Sequence, residues 1–440
     1  MTTRPTRVAA MAAVLFLARA LATLVLLPPW QAPDEPQHAS LVEILARGTP
    51  EERRSRYSPR LERDILVSMD RWNWWDHTGE KRPQPLPREF DHAPRLSWVT
   101  NRGASAEVAL YHWLASRVAI AAGASTVDER LYCARAVSTI TGSAAVFGMT
   151  WIVLGSVSGP AAVLAVAVIV FHPQLALVSV SGTPDALAIL LATSGLWIAI
   201  TVVRRMNVTG GLVASLAVLV TAGMLTKRTT LVLVYCLVVT VAVLVRRARA
   251  RRAAIVACAA VAAAGAVLLA GAALFPSEWQ RAYSKFVQPL ERLRNVWSSD
   301  EWRDPAYLRK WFVDLHGNTW HVHGWVRYLM PPAWYTGFTL LTMGIGGGAL
   351  RALIVREREM LFAVGAIVFQ VLGVFGFYGL IRIFAQGRYL LPVLPMAALL
   401  LAYGVEALPR RAAAVVAWAA SAFLFAASCA SLRAIAQTYY

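Results

Sequence analysis

Long apolar runs separated by short charged stretches dominate this chain. A membrane-spanning helix needs about 20 mostly apolar residues, and eleven runs come close to that length. They cover residues 8–27, 131–153, 161–181, 184–203, 210–226, 229–245, 253–275, 333–350, 359–381, 389–406 and 412–433. Since a single chain segment can satisfy its backbone in lipid only as a helix, the pattern predicts an all-α polytopic membrane protein with about 11 transmembrane helices.

Basic residues cluster at alternate ends of these runs. They precede the first run and follow the fourth, sixth, eighth and tenth, as Arg4 and Arg7, Arg204 and Arg205, Arg246 and Arg247, Arg351 and Arg356, and Arg410 and Arg411. With eleven spans all five clusters lie on one side, which the positive-inside rule makes the cytoplasm. We therefore expect one domain, 1–440, with a cytoplasmic N-terminus. The same topology places two long segments on the extracytoplasmic side, where we expect interfacial helices. We name them the first loop segment (28–130) and the second loop segment (276–332).

The composition restricts the class of protein. Hydrophobic residues make up 57% of the 440 positions and charged residues 15%. The net charge of +18 arises almost wholly outside the two loop segments, which together carry 22 basic and 21 acidic residues. Charge in that position flanks membrane spans rather than forming a face for nucleic acid. Soluble, disordered and nucleic-acid-binding proteins are therefore excluded. The excess of Arg over Lys indicates a GC-rich bacterial source. For a bacterial protein with these apolar spans, we expect a location in the inner membrane.

Two stretches permit another interpretation. Residues 106–122 are apolar enough for a twelfth span, but that span would place two basic clusters outside. We therefore expect an interfacial helix there, with Tyr111, His112 and Trp113 near the lipid headgroups. Residues 1–27 have the charge and apolarity of a signal peptide, but their length and the lack of a small-residue cleavage site favour a membrane span.

An acidic pair follows the first span directly. Asp34 and Glu35 stand between two prolines, ahead of a helix predicted over 36–46, so Asp34 occupies an N-cap position where free backbone N–H groups would hold its carboxylate. His38 lies one helical turn further on, close to Asp34. A carboxylate fixed at the membrane surface can take a proton from an attacking hydroxyl, which contributes about 10²–10⁴ in rate. The alternative is that Asp34 only caps a surface helix.

Ionisable residues at membrane depth are a second set of candidates, because such residues are costly in lipid and point to function. They are Arg19, Arg135, Asp185, Lys227, Arg228 and Arg388, with a structural role as the alternative for Arg135. The predicted topology places all of them toward the extracytoplasmic face, where Arg and Lys side chains can bind the phosphate of a lipid-linked substrate. Snorkelling to the headgroups is the alternative for cations near span ends. Arg19 lies too deep for simple snorkelling, and we expect Asp185 to be its partner.

The second loop segment carries His316, His321 and His323 in an H-x₄-H-x-H spacing, beside tryptophans such as Trp325. Imidazoles in this spacing can form half of a metal site, but Asp314 is the only acid close by in the sequence. We expect a neutral hydrogen-bonding role or contact with a sugar instead, and we take His321 and Trp325 as the candidate sugar-contacting residues. No cofactor is required by these motifs, and a divalent metal ion remains an alternative.

Six motifs follow one another along the chain. They are APDEPQH (32–38), LYHWL (110–114), SGTPDAL (181–187), TKRT (226–229), NTWHVHGW (318–325) and QGRYLLPVLP (386–395). Together they resemble the C-type superfamily of membrane glycosyltransferases, which includes the protein O-mannosyltransferases and the lipid A aminoarabinose transferases. Within it, the pattern is most similar to a largely uncharacterised bacterial polytopic family, although two prolines that often precede the tyrosine of the second motif are missing. The resemblance implies that Asp34 is the catalytic base and that Glu35 orients it or the acceptor.

Sequence and resemblance together predict a membrane glycosyltransferase that moves a sugar from a polyprenyl-phosphate donor to a glycan or lipid acceptor of the cell envelope. The predicted catalytic residues are Asp34 and Glu35, and the predicted substrate-binding residues are Arg19, His38, Asp185, Lys227, Arg228, His321, Trp325 and Arg388. Two alternatives stay open. One is a transporter or flippase that gates with its buried charges, and the other is a ligase that uses a lipid-diphosphate-linked glycan.

Overall fold

The structure is a computed structural model that describes residues 3–89, 110–247, 304–323, 327–379 and 386–440. The α-helices in these ranges are α1 Thr3–Leu26, α2 Glu35–Arg47, α3 Pro50–Ser55, α4 Pro59–Arg71, α5 Trp74–Thr78, α6 Leu110–Ala121, α7 Val127–Leu154, α8 Gly159–Val170, α9 Pro173–Ser179, α10 Asp185–Arg205, α11 Gly210–Met224, α12 Val232–Arg247, α13 Pro305–Trp320, α14 Pro332–Val355, α15 Arg358–Val374, α16 Leu394–Val405 and α17 Arg410–Tyr439. Two short 3-10 helices precede α12 and α16. We name them the Arg228 helix (Arg228–Leu231) and the Arg388 helix (Gly387–Val393).

Helices long and apolar enough to cross a membrane dominate the described ranges. Eight meet that description, namely Pro5–Leu26, Val127–Leu154, Asp185–Arg205, Arg228–Arg246, Pro332–Val355, Arg358–Gly379, Gly387–Val405 and Arg410–Tyr439. The pair α8 and α9, bent by 43°, adds a ninth, and α11 is a shorter apolar helix. The predicted run 253–275 lies outside the described residues. The chain is thus an all-α multi-pass membrane protein, as predicted, and the total of eleven spans stays a prediction.

Close helix packing forms the centre of the bundle. Helix α7 packs against both α1 and α10, and α16 packs against α8 and α14. A methyl group added at Gly348 of α14 would lie 1.8 Å from the backbone oxygen of Leu400 on α16, so only glycine permits this approach. Small residues serve this purpose in membrane bundles, where helices gain by approaching one another closely.

The break between α8 and α9 explains the position of Arg19. A residue before proline disfavours the helical conformation, and His172, which precedes Pro173, has an extended backbone with φ −63° and ψ 114°. The buried Arg19 donates from Nη1 to the carbonyl oxygens of Val170 and His172, at 3.1 and 3.0 Å. Arg19 therefore satisfies backbone groups that the break leaves free. Its expected pairing with Asp185 is wrong.

The first loop segment forms a folded layer rather than an open loop. Helices α2, α4 and α5 contribute to a cluster that includes Trp30, Trp74, Trp75 and Met69. Trp30 donates its indole N–H to the hydroxyl of Ser68 at 2.9 Å, which ties the chain just before the acidic pair to α4. This layer holds the start of α2 in place.

Helix α6 corresponds to the ambiguous apolar stretch 106–122. With 12 described residues it is shorter than a single crossing requires. Tyr111 and His112 are both fully buried, and the hydroxyl of Tyr111 donates to the carbonyl oxygen of Ala134 at 2.9 Å. The expectation that these two side chains lie among lipid headgroups is wrong, because α6 packs them against α2 and α7. Trp113 remains exposed.

Candidate active site

Four charged side chains from distant parts of the sequence form one connected group, which we name the charge cluster. Asp34 follows α1, Asp185 begins α10, Lys227 precedes the Arg228 helix, and Arg388 lies in the Arg388 helix. The guanidinium of Arg388 lies 2.5 Å from Asp34 and 3.5 Å from Asp185. The ammonium of Lys227 lies 2.6 Å from the other carboxylate oxygen of Asp185. The structure therefore brings four of the predicted site residues together, with alternating charges that sum to zero.

Asp34 is the most accessible member of the charge cluster. Its side chain is 32% exposed, against 12% for Lys227, 7% for Arg388 and 3% for Asp185. Its backbone is left-handed, with φ 65° and ψ 4°, and its side chain makes no capping hydrogen bond to α2. The predicted capping is therefore wrong, and Arg388 holds the carboxylate instead. A non-glycine residue in this conformation is strained, and such strain is concentrated at functional sites.

The electrostatic surroundings keep Asp34 ionised. Burial alone would raise the pKa of its carboxyl, but the neighbouring Arg388 and, more weakly, His38 and Lys227 outweigh burial and lower that pKa below its usual value. Asp34 is therefore a carboxylate at neutral pH, which is the protonation state that a general base requires. The same ion pair makes it a weak base for as long as Arg388 stays bound to it.

The cations of the site border a buried tyrosine. The ring of Tyr389 lies 5.4 Å from the ammonium of Lys227 and 5.7 Å from the guanidinium carbon of Arg388. Burial lowers the pKa of Lys227, although Asp185 opposes that effect. The Nε of Arg388 is buried without a hydrogen-bond partner, and the side chain of Arg228 makes no hydrogen bond or ion pair within the described part of the chain. Both groups are therefore available to an anion.

Glu35 has a different environment from its neighbour Asp34. It is fully buried, and its two oxygens accept hydrogen bonds from Nε and Nη2 of Arg135, both at 2.8 Å. The backbone N–H of Gly182 also donates to Glu35, at 2.9 Å. Arg135 donates in addition to two backbone carbonyls just after α1, each at 2.8 Å. Glu35 and Arg135 thus tie α7, the turn before α10 and the end of α1 together around Asp34.

His38 lies beside the charge cluster, as predicted. Its backbone N–H donates to the carbonyl oxygen of Asp34 at 3.0 Å. Its ring nitrogen Nδ1 lies 2.9 Å from Nε2 of His112, and the two buried imidazoles stack. The sequence analysis did not predict that His112 pairs with His38. The sequence of the apolar helix α6 does not indicate which of its sides packs against α2.

Two further residues shape the site without having been predicted. Gln370 of α15 bonds to both 3-10 helices, and its only sequence signal is a single amide in an otherwise apolar helical run. A methyl group added at Gly387, beside Arg388, would lie 1.9 Å from the backbone nitrogen of Thr319 on α13. The second loop segment therefore packs directly against the Arg388 helix, and only glycine permits that contact.

His321 belongs to a series of hydrogen-bonded side chains that is separate from the charge cluster. Its Nε2 lies 3.0 Å from Nδ1 of His323, its Nδ1 lies 3.2 Å from the hydroxyl of Ser431, and His323 Nε2 lies 3.0 Å from the hydroxyl of Thr438. Thr438 donates its own proton to a backbone carbonyl, so it accepts from His323, which in turn accepts from His321. Burial lowers the pKa of His323 to about 4 and holds that of His321 well below its usual value, and both rings are neutral at pH 7. Trp325 lies outside the described residues.

The described ranges hold no group of three or more His, Cys, Asp or Glu side chains that could bind a metal ion. His316 lies 3.1 Å from the hydroxyl of Thr339, apart from the bonded pair His321 and His323. The divalent metal ion stays a prediction of the sequence.

Comparison with known proteins relates the fold to a membrane enzyme. Neither a protein-family model nor a curated protein matches the sequence. The crystal structure of the Archaeoglobus fulgidus oligosaccharyltransferase in the apo form matches with a TM-score of 0.54 and 12% identity, over 97% of this chain and 56% of that chain. The oligosaccharyltransferase AglB from the same organism, in complex with an inhibitory peptide and a dolichol-phosphate, matches with a TM-score of 0.53 and 14% identity, over 98% of this chain and 56% of that one.

At these identities the likeness concerns the fold. This chain spans just over half the length of the solved proteins that it matches. The match agrees with the fold implied by the resemblance to C-type membrane glycosyltransferases. Nearly the whole chain therefore shares the fold of part of an archaeal oligosaccharyltransferase.

Proposed function

We propose that the protein is an inverting glycosyltransferase that moves a sugar from a polyprenyl-phosphate donor to a hydroxyl group of a cell-envelope glycan or lipid, on the extracytoplasmic side of a bacterial inner membrane. One observation carries the proposal, namely the 2.5 Å contact between Asp34 and Arg388, with Lys227 linked to them through Asp185. A carboxylate that can act as a base and cations that can bind phosphate thus share one site at the ends of membrane helices.

The reaction follows from these positions. The acceptor oxygen bonds to the anomeric carbon while the bond from that carbon to the phosphate oxygen breaks. Asp34 takes the proton of the acceptor hydroxyl, and the polyprenyl phosphate departs with the electron pair. Arg388, Lys227 and Arg228 stabilise the negative charge on the departing phosphate, which is the kind of electrostatic contribution that usually dominates catalysis. An incoming phosphate competes with Asp34 for Arg388, and this competition frees the carboxylate for the acceptor.

The fold comparison supports this proposal in two respects. The matching archaeal proteins are oligosaccharyltransferases, which favours glycosyl transfer, and one of them is bound to a dolichol-phosphate, which favours a lipid-linked donor. The name oligosaccharyltransferase also favours a second candidate function, that of a ligase that transfers a preassembled glycan from a lipid diphosphate. That candidate requires a larger donor but the same phosphate-binding cations.

Sugar transfer in proteoliposomes tests the proposal. Purified protein receives polyprenyl-phosphate hexoses, polyprenyl-phosphate pentoses or a lipid-diphosphate glycan, and released lipid phosphate and glycosylated acceptor are measured. We expect Asp34→Asn to lower transfer by about 10²–10⁴. Asp70→Asn is the matched control, because Asp70 pairs with the half-exposed Arg82 in the first loop segment.

Three outcomes would contradict the proposal. Near-normal transfer by the Asp34→Asn variant would remove the base, and transfer from the lipid diphosphate alone would favour the ligase. Lipid movement across the bilayer without sugar transfer would indicate a flippase. If none of these outcomes is observed, mass spectrometry of envelope glycans from cells that lack the gene identifies the sugar.

A further inference from the structure

The two cations of the charge cluster, Lys227 and Arg388, lie directly before or within short 3-10 helices. Lys227 directly precedes the Arg228 helix, and Arg388 belongs to the Arg388 helix. Hydrogen bonding in 3-10 helices is poorer than in α-helices, and they occur in short pieces. Backbone groups near their ends therefore need other partners, because Thr229 and Tyr389 are buried and water cannot reach them.

Gln370 supplies partners to both helices. Its Nε2 donates to the carbonyl oxygens of Thr229 and Tyr389, each at 2.8 Å, and its Oε1 accepts from the backbone N–H of Val232 at 3.2 Å. The side chain is fully buried and bonded at both ends of its amide. Thr229 adjoins Arg228, and Tyr389 adjoins Arg388, so one side chain fixes the distance between two cation-bearing segments that are far apart in sequence.

We propose that Gln370 is a positioning residue that sets the spacing of the phosphate-binding cations, acting through the backbone of the two 3-10 helices. This inference rests on the proposed function. Gln370 is buried beneath these helices and acts without contact to substrate. Loss of its amide leaves two buried carbonyl groups without their donor, and the segments must move to find others. A displacement of about 1 Å at a reacting centre can lower the rate about a hundredfold.

Three variants separate positioning from general packing. Gln370→Met keeps the length and removes all three hydrogen bonds, and we expect kcat/KM for the lipid donor to fall about tenfold to a hundredfold, with the acceptor KM unchanged. Gln370→Glu, protonated in its buried site, can still donate to one carbonyl and should restore part of the loss. Gln174→Met is the matched control, because Gln174 is also buried and bonds to a backbone N–H, that of Val322, in another part of the bundle.

Hydrogen exchange supplies a measurement that needs no substrate. We expect the peptide that contains 227–232 to exchange faster in the Gln370→Met variant and unchanged in the Gln174→Met variant. Unchanged exchange, or an equal loss of donor and acceptor kinetics in both variants, would overturn the positioning role. If the wild-type protein transfers no sugar from any donor, the proposed function fails, and the exchange measurement still decides whether Gln370 holds the two helices together.

Discussion

The adjacent carboxylates Asp34 and Glu35 give opposite predictions, and Glu35→Gln tests them most sharply. This substitution keeps the size of the side chain and removes its charge. Glu35 and Arg135 are both 0% exposed in their ion pair, so the variant leaves Arg135 charged and without a counter-ion. Removing one partner of a buried ion pair typically costs about 3–5 kcal/mol. We expect the free energy of unfolding to fall by about this amount.

A denaturant titration in detergent micelles measures this change. Glu359→Gln is the matched control, because Glu359 pairs with Arg204 at 2.8 Å while both side chains remain about a fifth to a quarter exposed. Its loss should cost about 1 kcal/mol or less. Asp34→Asn should also stay close to the wild-type stability, because Asp34 is 32% exposed and Arg388 keeps Asp185 as a partner.

The refuting result combines stability and activity. If Glu35→Gln unfolds no more easily than Glu359→Gln and still abolishes sugar transfer, Glu35 acts in the chemistry rather than in holding the site together. If instead Asp34→Asn is the variant that loses several kcal/mol, the accessible carboxylate is the structural one. Either result would reverse the assignment of the two acids.

Three further predictions are independent of this one. Gly387→Ala should lower the transfer rate at least about tenfold, because the added methyl group would lie 1.9 Å from the backbone of α13, and a normal rate would show that this contact is unimportant. Lys227→Gln should weaken binding of polyprenyl phosphate more than Arg228→Gln, because Lys227 is fixed within the charge cluster at 2.6 Å from Asp185, and equal losses in a direct binding assay would speak against the cluster. Burial lowers the pKa of His323 to about 4, below the value of about 6.5 in an unfolded chain. The unfolded state therefore binds more protons as the pH falls, and stability should decrease between about pH 6.5 and 4. His323→Gln should flatten that decrease, and an unchanged pH profile would refute it.

Local pattern and charge in the sequence were enough to predict the membrane helices and to name all four members of the charge cluster as candidate site residues. A run of apolar residues must become a helix in lipid, and an ionisable residue in such a run needs a partner. Asp185 lies in such a run, and Lys227 and Arg388 lie at the ends of runs, so these three could be singled out before their contacts were known. Asp34 was singled out as part of the acidic pair that follows the first span. Their convergence could not be derived from the residues alone, since it depends on which helices pack together.

The sequence did not indicate which groups the buried ionisable side chains would pair with. Arg19 was expected to pair with Asp185, but the break before Pro173 exposes carbonyl groups that take its donors. Asp34 was expected to accept from the start of α2, but its left-handed backbone and Arg388 direct it elsewhere. Gln370 went unnoticed because an uncharged amide in an apolar run becomes meaningful only when the helices that it joins are known.

Binding of polyprenyl phosphate without a sugar tests the central claim most directly, because it asks whether the carboxylate and the phosphate share Arg388. The dissociation constant is measured in nanodiscs for the wild type and for the variants Asp34→Asn and Arg388→Gln. The account predicts tighter binding by Asp34→Asn, which removes a competing anion 2.5 Å from Arg388, and binding at least about tenfold weaker by Arg388→Gln, equivalent to about 1.4 kcal/mol. An unchanged dissociation constant in both variants would mean that the phosphate binds elsewhere and would contradict the account.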